Sequence, residues 1–467
     1  MFHRPHDTPT PPVAAADASL AEILSAFSYA LDLTEGQPAG HSIRASWIGS
    51  YIAMAMGLSG THLRDCSFAV LLKDLGCSSN AARVAELFIG DDRKLKHQFK
   101  LIGPNAADFM HFVEHSVGEL AQAEIRSAAV DHFTANAGAI LTGFIDTRCT
   151  KGADIARTLR FSEDVASGIA SLDEHWDGSG LPHGLAGDAI PLISRIALIA
   201  QVTDVFFMTG GPQVAIDEVV ARSGSWFDPA MVAIIQSLAE DANFWRELGS
   251  ADIEDRLFAL EPSDQRVHVD EDYLDDIASA FGHVIDAKSP YTGGHSDRVG
   301  LFADKIAAQL GMAEPDRRRL RRAAMLHDVG KLGVSSSILE KPGTLDADEW
   351  VIMKSHAAET TNILSRVSAM ADMAMIAGSH HERLDGGGYP LGLDTKMIAL
   401  ETRIITVADF FDALTADRPY RAALSVERAL AIMADEVGSA IDADCYAAMC
   451  TVVASGIPSS PLPSISI

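Results

Sequence analysis

The feature that most constrains this chain is that it repeats itself. Ser25-Ala26-Phe27 returns as Ser279-Ala280-Phe281, and Asp32, His41, Ser42, Arg44, Asp74 and Gly76 return as Asp286, His295, Ser296, Arg298, Asp328 and Gly330, every pair 254 positions apart. A second block keeps a spacing of 208: the run DGSGLPHGL from Asp177 matches DGGGYPLGL from Asp385, and Arg195 matches Arg403. Collinear matches at constant spacing over two blocks mark a duplicated domain. The shorter second spacing gives the first copy a longer middle.

Both copies read as helical. Leu274, Ile277, Ala278, Phe281 and Val284 fall at helical spacing and form one apolar stripe, leaving Asp275, Asp276 and Ser279 on the other side. Asp346 followed by Glu349 is a capping-box pattern opening the helix that carries His356. Gly330 follows Arg317 to Leu326 and His327-Asp328-Val329 as a helix stop. Regular alternation of the kind strands need is sparse. The expected fold is all-α, two tandem helical bundles: a loose tail over 1–16, a first domain over 17–245, a charged linker over 246–270, a second domain over 271–456 and a Pro/Ser-rich tail over 457–467.

Composition narrows the function. The 467 residues carry 64 Asp+Glu against 37 Lys+Arg, a net charge of -27, with 48% hydrophobic residues. That hydrophobic fraction excludes a wholly disordered chain, and the acidity argues against a binder of nucleic-acid polymers. An anionic substrate must therefore be met by a local cationic or metal site. The five cysteines show no paired ligand spacing, which favours a reducing, cytoplasmic setting. The N-terminus lacks a signal-peptide layout, and the most apolar stretch, Ile193 to Met208, is broken by Arg195, Gln201 and Asp204, so no membrane association is expected. Arg317, Arg318, Arg319, Arg321 and Arg322 wrap around a helix and read as a solvated face.

The second copy concentrates candidate ligands: His295, the HDVGK run from His327 to Lys331, His356, the pair His380-His381, and Asp409. Imidazoles with carboxylates suit divalent transition metals, and a bundle core is where facing helices pool ligands. No thiol takes part, which points away from a structural zinc site and toward a hydrolytic one with open positions. Met370, Met373 and Met375 read as core filler. The DGGGYP segment from Asp385 lacks the Lys-Ser/Thr ending of a P-loop and reads as a tight loop beside substrate or a simple turn.

In the order HS, HDVGK, KPG, H, HHERLDGGGYP, VADFFDAL and DRPYR, these blocks resemble the HD-GYP family of the HD phosphohydrolase superfamily, over roughly Asp270 to Gly456. The resemblance implies two tandem HD-type bundles and a phosphodiesterase acting on cyclic di-GMP or 3',3'-cyclic GMP-AMP, giving linear dinucleotide or mononucleotides. It also implies two divalent transition metal ions, iron or manganese. By the same resemblance His295, His327, Asp328 and Asp409 form one metal quartet, and His356, His380 and His381 hold a second ion bridged by Asp328. Lys331, Arg418 and Arg421 would contact phosphate or guanine, with Gly388, Tyr389 and Pro390 forming the substrate loop; ordinary surface cations are the other reading of the three basic residues. Asp328, Lys331 and His295 are the catalytic candidates, with His295 or Asp412 helping with protons or orientation. Family members with three metals carry a glutamate where this chain has Tyr291, so a third site is expected to be absent or weak. A non-catalytic receptor and a nucleotidase of the wider superfamily remain as alternatives.

The first copy departs from this pattern. The constant spacings align His327 with Lys73, Lys331 with Cys77, His380-His381 with Leu172-Asp173, and Asp409 with Gln201; His41 and Asp74 survive, and His115 is matched to His356 through an insertion. An ammonium offers no lone pair to a cation. This copy is expected to be non-catalytic, either a packed partner or a sensor, which leaves room for a homodimer or a signalling protein partner.

Overall fold

The computed structural model describes residues 19–103, 105–260, 267–417 and 421–456. The two expected tails and Arg418 lie outside the described residues. Those residues form helices, with isolated bridges and no strands. The stripe on the Glu271–Asp286 helix is buried, from Leu274 through Val284, and Asp270 caps the helix by accepting from the Tyr273 amide at 2.8 Å. The capping box is formed: Glu349 N donates to Asp346 Oδ1 at 2.9 Å and Asp346 N donates to Glu349 Oε2 at 2.8 Å.

The copies share an element plan. Leu20–Thr34, His41–Ala55, Gly60–Leu71 and Leu192–Gly210 correspond to Glu271–Asp286, His295–Gln309, Glu314–Met325 and Leu400–Thr415. Phe27 stacks on its own counterpart Phe281, with ring centroids 3.7 Å apart and planes 12° apart. A residue that meets its own copy lies on a two-fold axis, so the chain packs as an internal pseudo-dimer. Each leading helix reaches the other copy: Tyr29 donates to Glu359 at 2.8 Å, and the Tyr273 hydroxyl donates to the Leu159 carbonyl at 2.8 Å. One hydrophobic core runs through both copies. The longer middle of the first copy builds a satellite core around Phe88, Phe112 and Phe133.

The segment read as a linker holds the helix Ile253–Ala259, whose Ile253 and Leu257 are buried. The apolar helix Leu192–Gly210 has the length and composition of a membrane span, yet it is mostly buried inside the protein, where Asp204 pairs with His41 and Arg44. The arginine run is not a solvated face. Arg317 pairs with Asp304 at 2.9 Å, Arg319 with Asp372, and Arg318, Arg321 and Arg322 converge on Asp275, with Arg322 only 2% exposed. Acidic side chains on the neighbouring helices turn the run into an inter-helix ionic seam.

Candidate metal centre

The centre is assembled by a sharp turn. The Glu314–Met325 helix ends just before His327, and Val329–Gly333 winds as a single 3-10 turn, directing the Asp328 side chain into the bundle. Gly330 is required by close approach more than by a helix stop: a Cβ there would lie 2.0 Å from the His356 carbonyl oxygen. The contact seats the Ala347–Leu364 helix directly against the turn, and Thr360 Oγ1 ties them by donating to the His327 carbonyl at 2.9 Å.

All seven residues matched to metal ligands converge. His295, His327 and Asp409 form one group, His356, His380 and His381 a second, and His327, Asp328 and His380 a third that overlaps both. Asp328 divides its two oxygens between the groups. Oδ2 lies 3.5 Å from His295 Nε2 and 3.3 Å from His327 Nε2, while Oδ1 lies 3.5 Å from His356 Nε2 and 3.7 Å from His380 Nε2. The opposite ring nitrogens are already engaged. His327 Nδ1 meets the Ala324 carbonyl at 2.6 Å, His356 Nδ1 that of Met353 at 2.6 Å, and His380 Nδ1 that of Ala377 at 2.7 Å. A proton on Nδ1 leaves the Nε2 lone pair for a cation.

The electrostatics agree with a cation-binding role. Burial pushes His356 down to about 4 and His380 to about 3, keeping both imidazoles neutral. Burial also opposes a charged His295, but hydrogen bonds to Asp328 and Asp412 and the charge of Asp409 outweigh it and raise its pKa to about 10. His327 Nε2 and Asp328 Oδ1 are buried without hydrogen-bond partners, an arrangement that native interiors avoid unless something fills it. The donor set of neutral imidazoles and carboxylates fits divalent transition metals.

Lys331 Nζ lies 2.6 Å from Asp328 Oδ2, at the edge of this cluster. Tyr389 stands beside it, its ring 4.7 Å from that of His381. Gly388 fits a close approach as well: a Cβ there would lie 2.3 Å from the Arg383 amide nitrogen. The loop that ends in Tyr389-Pro390 is laced by Glu382, which accepts from the amides of Leu391 at 2.6 Å and Leu393 at 2.8 Å. Sequence reasoning missed Glu382, although its counterpart Glu174, doing the same at 2.7 and 2.8 Å, was visible in the repeat. Arg421 is committed elsewhere: its guanidinium donates to the carbonyls of Ala413, Leu414 and Ala422, closing the end of the Leu400–Thr415 helix. Tyr291 does not share a helical face with His295, because Gly294 has a φ of 69° and the helix begins only at His295. Tyr291 instead lines a second cleft, of about 670 Å³, with Arg298 and Asp412.

The first copy shows what replaces such a centre. Asp74 occupies the place of Asp328, with Lys73 on Oδ2 and Lys100 Nζ 3.6 Å from Oδ1. Each oxygen thus meets an ammonium. Burial disfavours the Asp74 carboxylate, but Lys100 and Lys73 hold its pKa well below the usual range. Arg148, not His115, stands where His356 does: the carbonyl of Arg148 approaches Gly76 as that of His356 approaches Gly330. Arg148 pairs with Asp173, and exposed His115 bonds the His111 carbonyl. Glu35, Asp74 and Cys77 are near enough to share an ion, yet Lys96 and Lys100 already flank Glu35 and burial pushes the Cys77 thiol up. One element is common to both copies: Asp412 joins His295 Nδ1 at 2.7 Å to Arg298 Nε at 2.6 Å, and Asp204 joins His41 to Arg44 at the same distances.

The HD domain family matches residues 142–231 and 280–445, reaching into both copies. The 3'3'-cGAMP-specific phosphodiesterase 3 of Vibrio cholerae is 49% identical over 437 residues, 94% of this chain and 95% of that protein. The chain belongs to the HD-GYP family. A crystal structure of a cyclic GMP-AMP specific phosphodiesterase from V. cholerae is similar across 94% of this HD-GYP chain and 99% of its own, at 44% identity and a TM-score of 0.65. The cyclic di-GMP phosphodiesterase of Thermotoga maritima is 38% identical over 177 residues, 37% of this chain and 48% of that protein. The family's naming motifs correspond to His327-Asp328 and Gly388-Tyr389-Pro390, both at the cluster just described.

Proposed function

We propose that the second copy is a metal-dependent phosphodiesterase that opens a cyclic dinucleotide, 3',3'-cyclic GMP-AMP in preference to cyclic di-GMP. The observation that carries this reading is the division of the Asp328 oxygens between two sets of inward-facing imidazole nitrogens, the arrangement a bridging carboxylate needs. The base preference rests on likeness to a V. cholerae protein named for 3'3'-cGAMP over nearly the whole chain. In this reading His295, His327 and Asp409 hold one divalent ion, and His356, His380 and His381 the other, iron or manganese, with Asp328 shared. When bound, such ions acidify a water and compensate the charge of a phosphodiester. Lys331 holds a phosphate oxygen, and Asp412 keeps the His295 ring aligned. Tyr389 and its loop bound the substrate, and Arg418 contacts phosphate or guanine; Arg421 supports the end of the Leu400–Thr415 helix.

The first copy acts as a packed partner in the cytoplasm, its cation site satisfied by lysines. Its buried Asp92 supports that role by accepting from Ser336 N at 2.7 Å and Ser335 Oγ at 3.1 Å, just beyond the turn that carries Asp328.

Chelation tests the proposal. The full chain stripped with EDTA is expected to lose hydrolysis of all cyclic dinucleotides and to recover it with iron or manganese, with the highest kcat/KM on the mixed dinucleotide, as measured by chromatography of products. Binding without turnover in the metal-loaded protein would favour a receptor. Turnover confined to nucleoside triphosphates would favour a nucleotidase.

A further inference from the structure

Beside the candidate metal centre a cleft of about 530 Å³ opens between the Ala347–Leu364 helix and the loop around Tyr389, its wall including His380 and His381. Its volume lies in the range of small-molecule sites. At its edge stands Trp350, 46% exposed. Lys354, one turn along, rests between two rings, with Nζ 5.9 Å from the centre of Trp350 and 5.4 Å from that of Tyr389. An indole this exposed adds little to the core, and it lines a cavity that also reaches the imidazoles of His380 and His381.

The duplication supplies an internal control. Residues that hold the fold occur in both copies: Phe27 with Phe281, Gly76 with Gly330, Glu174 with Glu382, Gly180 with Gly388, Asp204 with Asp412. The imidazoles of the centre, apart from His295, are lost from the first copy. At the same spacing of 208, Trp350, Lys354 and Tyr389 correspond to Thr142, Asp146 and Leu181. The aromatic and cationic cleft therefore vanishes together with the metal-type ligands and not with the structural set.

We infer that Trp350 and Tyr389, with Lys354 held between them, form a subsite in which Trp350 stacks on one purine of the dinucleotide while its phosphodiester sits at the Asp328 cluster. The inference rests on the function proposed above. Every purine offers a π-face, so the subsite adds affinity for nucleotides without itself choosing guanine or adenine. Lys354 supplies positive charge next to a ligand with two phosphates.

Steady-state kinetics on the full metal-loaded chain test this. Trp350→Ala is expected to raise KM for 3',3'-cyclic GMP-AMP roughly 5- to 150-fold, the span of a lost base–aromatic stack, with a much smaller change in kcat and full metal content. Trp350→Phe, which keeps a ring, is expected to recover most of the loss. An unchanged KM in Trp350→Ala would overturn the subsite while leaving the phosphodiesterase reading intact. A fall in kcat and metal content without rescue by phenylalanine would overturn it as well, by showing a structural role. A wild-type chain inert toward every cyclic dinucleotide would refute the proposed function and the subsite with it.

Discussion

Asp328→Ala is expected to abolish hydrolysis, by at least about a thousandfold, and to empty both halves of the metal site at once. The carboxylate is 1% exposed, and each of its oxygens faces a different pair of imidazoles. Removing any other ligand strips one group; removing this one strips the element common to both. Lewis-acid stabilisation of a reacting phosphoryl centre is worth several kcal/mol, and each 1.36 kcal/mol is tenfold in rate. Lys331 also loses its partner at 2.6 Å. Metal analysis of the purified variant, beside a circular dichroism spectrum to show the helices intact, checks the expectation. A full complement of ions on a folded Asp328→Ala protein would remove Asp328 from the bridging role.

The second large effect is expected far away in sequence, at Asp92 in the first copy. This carboxylate is fully buried and crosses to the second copy, where it receives hydrogen bonds from Ser335 and Ser336 and lies 3.8 Å from Lys288 Nζ. Burial lowers the pKa of Lys288 to about 8, and Asp92 is the chief influence holding it up. Lys288 in turn donates to the Leu332 carbonyl at 2.9 Å, which Thr34 of the first copy also approaches at 3.4 Å. Asp92→Ala leaves a buried amine without its counter-ion and frees the segment following Lys331. Breaking such a pair from one side costs about 3–5 kcal/mol, and a shift of an ångström at a reacting centre can cost about a hundredfold in rate. Denaturant unfolding and kcat on the full chain are expected to fall together. Wild-type values for both would show that the first copy does not hold the turn.

Much of this was legible in the sequence because the repeat separates what is structural from what is chemical. The stripe around Phe281, the capping box at Asp346 and the clustering of seven candidate ligands follow from spacing and residue type. Arg148 was not read as the partner of His356, although it lies at the same spacing of 208, because the long inserted middle of the first copy broke the alignment and the histidine at 115 drew the match instead. Lys100 could not be foreseen at Asp74, since it arrives from that insertion and depends on packing with no counterpart in the second copy. The turn before His295 was readable: Gly293-Gly294 is a poor helix interior. The orientation of Arg421 was not, because unsatisfied carbonyls at a helix end compete with any ligand for its guanidinium. The arginines from 317 to 322 were misread because their acidic partners lie as far as 53 residues away, on other helices.

Two copies of one domain differ at a buried carboxylate, flanked by imidazoles in one and by ammonium groups in the other. Anomalous scattering at the metal absorption edge, from crystals of the full chain loaded with manganese or iron, measures that asymmetry directly. Two peaks are expected, one on each side of Asp328, and none at Asp74. A peak at Asp74, or an empty Asp328 site in active protein, would overturn the assignment.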